Sequence, residues 1–262
     1  KDWTADRVML ETDTAGVLSL SVSFKDVGGE AGATVVDTTD GTAITFEINS
    51  EGGAVVDGPF QAATAFADYN GNGVHDEGEP SDLTDANGEY DLIKTTDAPA
   101  AYNIVVEMTA DTIDSISGES YADSTLKLKA PSGGDVVTPL TTVLVAAQAA
   151  DPTFTAEDLA IAMGLPAGID IETYNPFASG VTASEAHAVE KVFQQVMTAM
   201  LIVAEAMEGV AGITGATLSG EDASTAALLA VTNMITESTV AVDFSESDQI
   251  AKLQEVAKDE LL

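Results

Sequence analysis

Two periodicities that no single kind of element can satisfy divide this chain near residue 130. Before it, apolar and polar residues alternate in "VLSLSVSF" (17–24) and "AITFEI" (43–48), with "VGGEAG", "TTDG" and "SEGG" as punctuation. A period of two turns one face of a strand inward, and clustered Gly, Asp and Asn supply the turns between strands. Further strands are expected at "QAATAFAD" (61–68), "EYDLIK" (89–94), "YNIVVEM" (102–108) and "STLKLKA" (124–130). "SEGG" (50–53) reads as the seam between an N-terminal β segment and a second β unit.

After "APSGGD" the apolar residues fall at helical spacing, and Ser or Thr stands three places before an acid at Thr155/Asp158, Thr182/Glu185, Ser219/Asp222 and Ser245/Asp248. Such a pair offers side-chain oxygens to the free N–H groups of a first turn, so each predicts a helix start. The clearest helix is expected over 183–208, where Ala186, Val189, Phe193, Val196, Met200, Val203 and Met207 recur at three and four. Its face widens from Val196 onward, which suits the core of a small bundle better than a coiled-coil seam or a Met-rich ligand groove. His187 lies early on this helix with no second His nearby and reads as a surface or boundary residue.

Charge narrows the choice of partners. Nine Lys plus Arg against 44 Asp plus Glu leave a net charge of −35 over 262 residues. Such a balance repels nucleic acid and anionic membranes and favours cations. The 45% hydrophobic content argues for a folded chain despite that charge. With no Cys, disulfides, thiolate chemistry and Cys-based metal sites are excluded together. The opening "KDWTADRVML" has no basic region followed by an apolar core, and "VMTAMLIVA" (196–204) is too short to span a bilayer. No membrane insertion is expected. "KDEL" (258–261) is followed by Leu262, so it reads as helix tail rather than a retrieval signal.

"DYNGNGVHDEGE" (68–79) is the stretch that packing alone does not explain. Set against a twelve-residue calcium loop, Asp68, Asn70 and Asn72 fall at positions one, three and five, and Gly73 at the sharp sixth. Val74 would offer its main-chain carbonyl at seven, Asp76 its carboxylate at nine, and Glu79 two oxygens at twelve. All are hard oxygen donors, which suit calcium and serve a soft transition metal poorly. His75 would point away. A polar hairpin tip accounts for the Asn-Gly pairs but not for Asp76 and Glu79 at their places. Pro59 and the small alternating residues before the loop, with Asn87-Gly88 after it, predict that it joins strands rather than helices.

The stretch "VVDGPFQAATAFADYNGNGVHDEGEPSDLTDANGEYDL" (55–92) resembles the calcium-binding β-sandwich modules similar to SdrD B-type repeats of large bacterial surface proteins and adhesins. The resemblance covers roughly 40 of 262 residues. It implies Asp68, Asn70, Asn72, Asp76 and Glu79 as calcium ligands, with Asp85 a further candidate nearby. "VVTPLTTVLVAA" (136–147) is similar to a segment that follows such modules and opens a helical region. The expected fold is therefore a multidomain α+β chain. An N-terminal β segment (1–50) precedes an antiparallel β-sandwich carrying the inter-strand calcium loop (51–130), and a small all-α bundle follows (131–262).

No G-x-S-x-G, H-E-x-x-H, phosphate loop or G-x-G-x-x-G occurs, and the two His lie more than a hundred residues apart. The chain reads as non-catalytic. "DTIDSISGESYAD" (111–123) reads as a solvated acidic loop rather than a second cation site or a glycan-facing loop. Two functions fit: a calcium-stabilised structural part of a secreted or cell-surface bacterial adhesin, filament or matrix protein, or an extracellular module that binds a glycan or small ligand. One Trp and five Tyr favour the first, since sugar platforms use exposed aromatics. The apolar face of 16–24 must be covered, either by its own chain or by strand addition to a neighbouring molecule. The expected partners are calcium, further copies of the chain and other cell-surface components.

Overall fold

The computed structural model describes residues 16–17, 45–46, 50–95, 97–214 and 217–259. Its contacts define two compact units, 1–50 and 51–262. Within the first, β1 (Gly16–Val17) pairs antiparallel with β2 (Thr45–Phe46). The rest of the strands expected at 17–24 and 43–48, and the strand-donating role of 16–24, lie outside the described residues.

Among the described residues the second unit is α+β, with its strands gathered in small sheets and followed by five helices. Its strands are β3 (Ser50–Val55), β4 (Phe60–Gln61), β5 (Thr64–Asp68), β6 (Ser81–Leu83), β7 (Glu89–Ile93), β8 (Asn103–Glu107), β9 (Ile113–Asp114), β10 (Lys127–Pro131) and β11 (Val136–Val137). One sheet runs β10-β8-β5-β6, antiparallel throughout. A second runs β11-β3-β7, with β11 parallel to β3, and β4 pairs with β9. "SEGG" thus opens a strand. Residues 130 and 131, where the sequence changes its vocabulary, lie inside β10.

The stretch expected as one strand over 61–68 is broken in two by Ala62. Its φ of +61° is the left-handed value that a residue with a Cβ adopts only when its surroundings hold it there. Here Thr109 and Thr112 donate their hydroxyls to the Ala62 carbonyl at 2.7 and 3.1 Å. β5 then reads "TAFAD" with Ala65, Phe66 and Ala67 all buried, because this inner strand of the four is covered on both faces.

The helices are α1 (Pro139–Ala150), α2 (Ala156–Ala162), α3 (Ala183–Thr214), α4 (Gly220–Thr236) and α5 (Ser247–Asp259). Thr155, Thr182 and Ser219 each accept from the N–H of the acid three places on, as their spacing predicts. Ser245 does not act this way: its hydroxyl donates to Asp243, and α5 begins at Ser247. α1 starts at a capping box the acid-based pattern misses, because Thr141 rather than an acid answers Thr138, with Pro139 as the first helical residue. α3 runs beyond 208 to Thr214. Val189, Phe193, Val196, Met200, Val203 and Met207 are all buried, which places the Met-bearing stripe in the core, and His187 is exposed.

One hydrophobic core joins sheets and helices. Val55, Phe60, Leu92, Ile104 and Leu128 belong to the same buried cluster as Leu140, Leu144, Phe193, Met200 and Ile235. Where β3 turns into β4, Asp57 is carried into this interior at 7% exposure, and its Oδ1 has no hydrogen-bond partner among the described residues. Burial first, then the nearby charges of Asp114 and Glu190, push its pKa up to about 8. A carboxyl protonated in the folded chain and ionised when unfolded loses stability as pH rises from near 4 towards 8. Asp57→Asn removes that loss. Urea titration is expected to find the variant close to wild type at pH 4 and more stable at pH 8, by an amount on the order of a few kcal/mol.

Candidate functional site

The loop between β5 and β6 begins on a fixed base. Antiparallel pairing of Thr64 with Leu83, Ala65 with Asp82 and Phe66 with Ser81 holds its two ends side by side, so it joins strands as its flanks predict. Asp68, at the end of β5, is 2% exposed and points its carboxylate back into the loop. Oδ1 accepts from the Gly71 and Asn72 N–H groups at 2.8 and 3.1 Å, and Oδ2 from Gly73 at 2.8 Å. That wrap requires left-handed backbone at Gly71 and Gly73, with φ of +77° and +70°.

The two asparagines extend the wrap. Asn70 Oδ1 accepts from the Asn72 N–H at 2.9 Å and Asn72 Oδ1 from the Val74 N–H at 2.7 Å. Their Nδ2 groups both donate to Asp76 Oδ2, at 2.7 and 2.8 Å, and these two bonds, with help from His75, hold the Asp76 carboxyl below its ordinary pKa. Glu79 closes the loop with both oxygens: Oε1 accepts from the Tyr69 N–H at 2.8 Å and Oε2 from the Asp76 N–H at 2.9 Å. His75 lies outside this core, with its ring 5.3 Å from Phe66 and Nε2 2.9 Å from the Glu79 carbonyl. The Val74 side chain is exposed.

Asp68, Asn70, Asn72, Asp76 and Glu79 are therefore brought into one closed hydrogen-bonded loop. Asp85 is engaged elsewhere, accepting from the Asn87 and Glu89 N–H groups in the turn between β6 and β7. As donors the loop residues suit a hard cation: three carboxylates and two amides retain further oxygen lone pairs beside the bonds just described. Among the described residues, however, no three Asp, Glu or His side chains are gathered to hold a metal ion as they stand. The three carboxylates of the loop are turned to backbone and amide N–H groups instead. Calcium would have to replace the two asparagine N–H bonds at Asp76 with amide oxygens.

A partner not anticipated from the sequence lies on β10. Lys127 donates to the Gly73 carbonyl at 2.8 Å and pairs with Glu107 and Glu221, each at 2.9 Å. Burial works against its charge, but the two carboxylates outweigh it and hold its pKa above the usual lysine value. The register of β10 on β8, which sets Lys127 opposite Glu107, is the signal that strand pairing would have supplied. Lys129 stands two residues on, with its Nζ 3.3 Å from where a Cβ on Gly73 would lie.

No protein-family model, curated protein or solved structure matches this chain. Among the described residues, no helix is long and apolar enough to cross a membrane.

The loop's dependence on glycine is directly measurable. Gly73→Ala places a Cβ in left-handed backbone and against the movable tip of Lys129. Chemical denaturation is expected to show a loss of about 1–2 kcal/mol, mostly from the backbone.

Proposed function

We propose that the chain is a non-catalytic, calcium-stabilised structural component of a secreted bacterial surface, adhesin, filament or matrix protein, and that residues 68–79 are its calcium site. In this reading the four-stranded and three-stranded sheets are the two layers of a small β-sandwich that carries the loop at one end. Asp68, Asn70, Asn72, Asp76 and Glu79 supply side-chain oxygens, and Val74 supplies its carbonyl.

The observation that carries the proposal is the convergence of these five side chains at a connection whose ends are pinned by strand pairing. A polar hairpin tip needs turn-forming residues but no closing acid. Here Glu79 spans the loop from Tyr69 to Asp76, at the place where a calcium loop has its bidentate ligand. The large excess of acids gives the same surface an affinity for cations at long range.

Calcium binding at an extracellular grade, with Kd on the order of 10⁻⁴ to 10⁻³ M, is expected by titration calorimetry. A hundredfold excess over Kd raises stability by about 2.7 kcal/mol if only the folded chain binds. Asp68→Ala with Glu79→Ala abolishes both effects. Absence of heat in the wild type, or an unchanged response in the double variant, overturns the proposal.

A further inference from the structure

Lys127 has three N–H groups, and the structure gives each an acceptor on a different element: the Gly73 carbonyl in the loop, Glu107 on β8 and Glu221 in the first turn of α4. An ammonium satisfied in this way fixes the relative positions of its three partners, because losing any one leaves a partly buried charge under-solvated. The side chain is 21% exposed, whereas Glu221 is 63% exposed and could turn to water were Lys127 absent.

The contact to Gly73 falls at a sensitive point. The peptide joining Gly73 to Val74 is held at its oxygen by Lys127 and at its nitrogen by Asn72 Oδ1. With both ends fixed, the plane of this peptide is set, and so is the start of the residue whose carbonyl would be the seventh-position ligand. Asn72 belongs to the loop itself. Lys127 is the outside member.

The helix end of the link is equally constrained. Gly220, the first residue of α4, comes so close to Thr125 that a Cβ would lie 2.9 Å from its methyl group, and the Thr125 and Ser224 hydroxyls are 2.9 Å apart. The first turn of α4 is thus seated on the segment leading into β10. A cleft of about 250 Å³, lined in part by Asn72, Gly73, Lys127, Lys129, Glu221 and Ser224, separates the loop from the helix, and Lys127 spans it.

We infer that Lys127 is a positioning residue for the 68–79 site, setting the Gly73–Val74 peptide for cation binding and tying the occupancy of the loop to the first turn of α4. The inference rests on the calcium reading of the loop. Charge alone predicts the opposite effect of removing it: without Lys127, Glu107 and Glu221 lose this counter-charge, the local potential becomes more negative, and a cation is attracted more strongly. Positioning and simple electrostatics therefore differ in sign.

Titration calorimetry and amide hydrogen exchange with and without calcium, on the full chain, separate them. In the wild type, calcium is expected to slow exchange at 220–224 as well as in the loop. In Lys127→Met the affinity falls about tenfold, the size expected for one charge-assisted hydrogen bond, and the response at 220–224 disappears. Lys127→Gln retains a donor for the Gly73 carbonyl and recovers part of the affinity. Glu221→Gln, changed at an exposed side chain, leaves affinity near wild type while weakening the response of α4, and this variant keeps the test open if Lys127→Met fails to fold. Unchanged or tighter binding in Lys127→Met, or a response of α4 that persists without Lys127, overturns this inference and leaves the calcium site standing. Failure of the wild type to bind calcium overturns both.

Discussion

Self-repulsion among 35 excess negative charges is the condition that every other contact in this chain must offset. The structure meets it in two ways. Sheets and helices of the second unit bury their apolar faces in one shared core, so the largest favourable term is gathered in one place. The acids meanwhile are used locally. Asp85, Asp114, Asp151, Asp170 and Asp243 each accept from an N–H group a few residues further along, so their charge organises a turn and stays close to water. Asp68 belongs to the same pattern, but it is buried and accepts from three N–H groups.

Scarcity of cations makes the placement of each one informative. Lys94 serves Glu51, a carboxylate at 7% exposure; burial opposes its charge, but Tyr102, the Gly133 N–H and Lys94 together hold its pKa below the ordinary value. Lys191 lies near Asp243, and Lys127 bridges the loop, the sheet and α4. Exposed ion pairs contribute little to stability. The pairs of Lys94 and Lys127 differ because one carboxylate in the first and the ammonium in the second are partly withdrawn from water.

What could be read from sequence follows the range of the interactions. Helix caps at Thr155, Thr182 and Ser219 involve residues three apart, and the apolar stripe of α3 repeats within one element, so both were visible before any tertiary structure. The five side chains of the loop were legible for the same reason: twelve consecutive residues close on themselves. The asparagine amides were not, since the sequence does not say whether oxygen or nitrogen faces Asp76. Equally hidden were the left-handed Ala62, held by hydroxyls from 109 and 112, and the parallel pairing of Val136–Val137 with β3. Two valines in a row carry no periodicity; only their distant partner makes them a strand.

That parallel pair also orders events in time. Ala54 lies beside Val136 although about eighty positions separate them in the chain, and a loop of that length closes against a large entropy loss. During synthesis, β3 emerges long before its partner exists. The β5–β6 hairpin with its loop can close early, and β8 can join it, but the sheet built on β3 stays incomplete until residues 136 and 137 have left the ribosome. The next residues open α1, so completion of that sheet and the beginning of the helical layer arrive together.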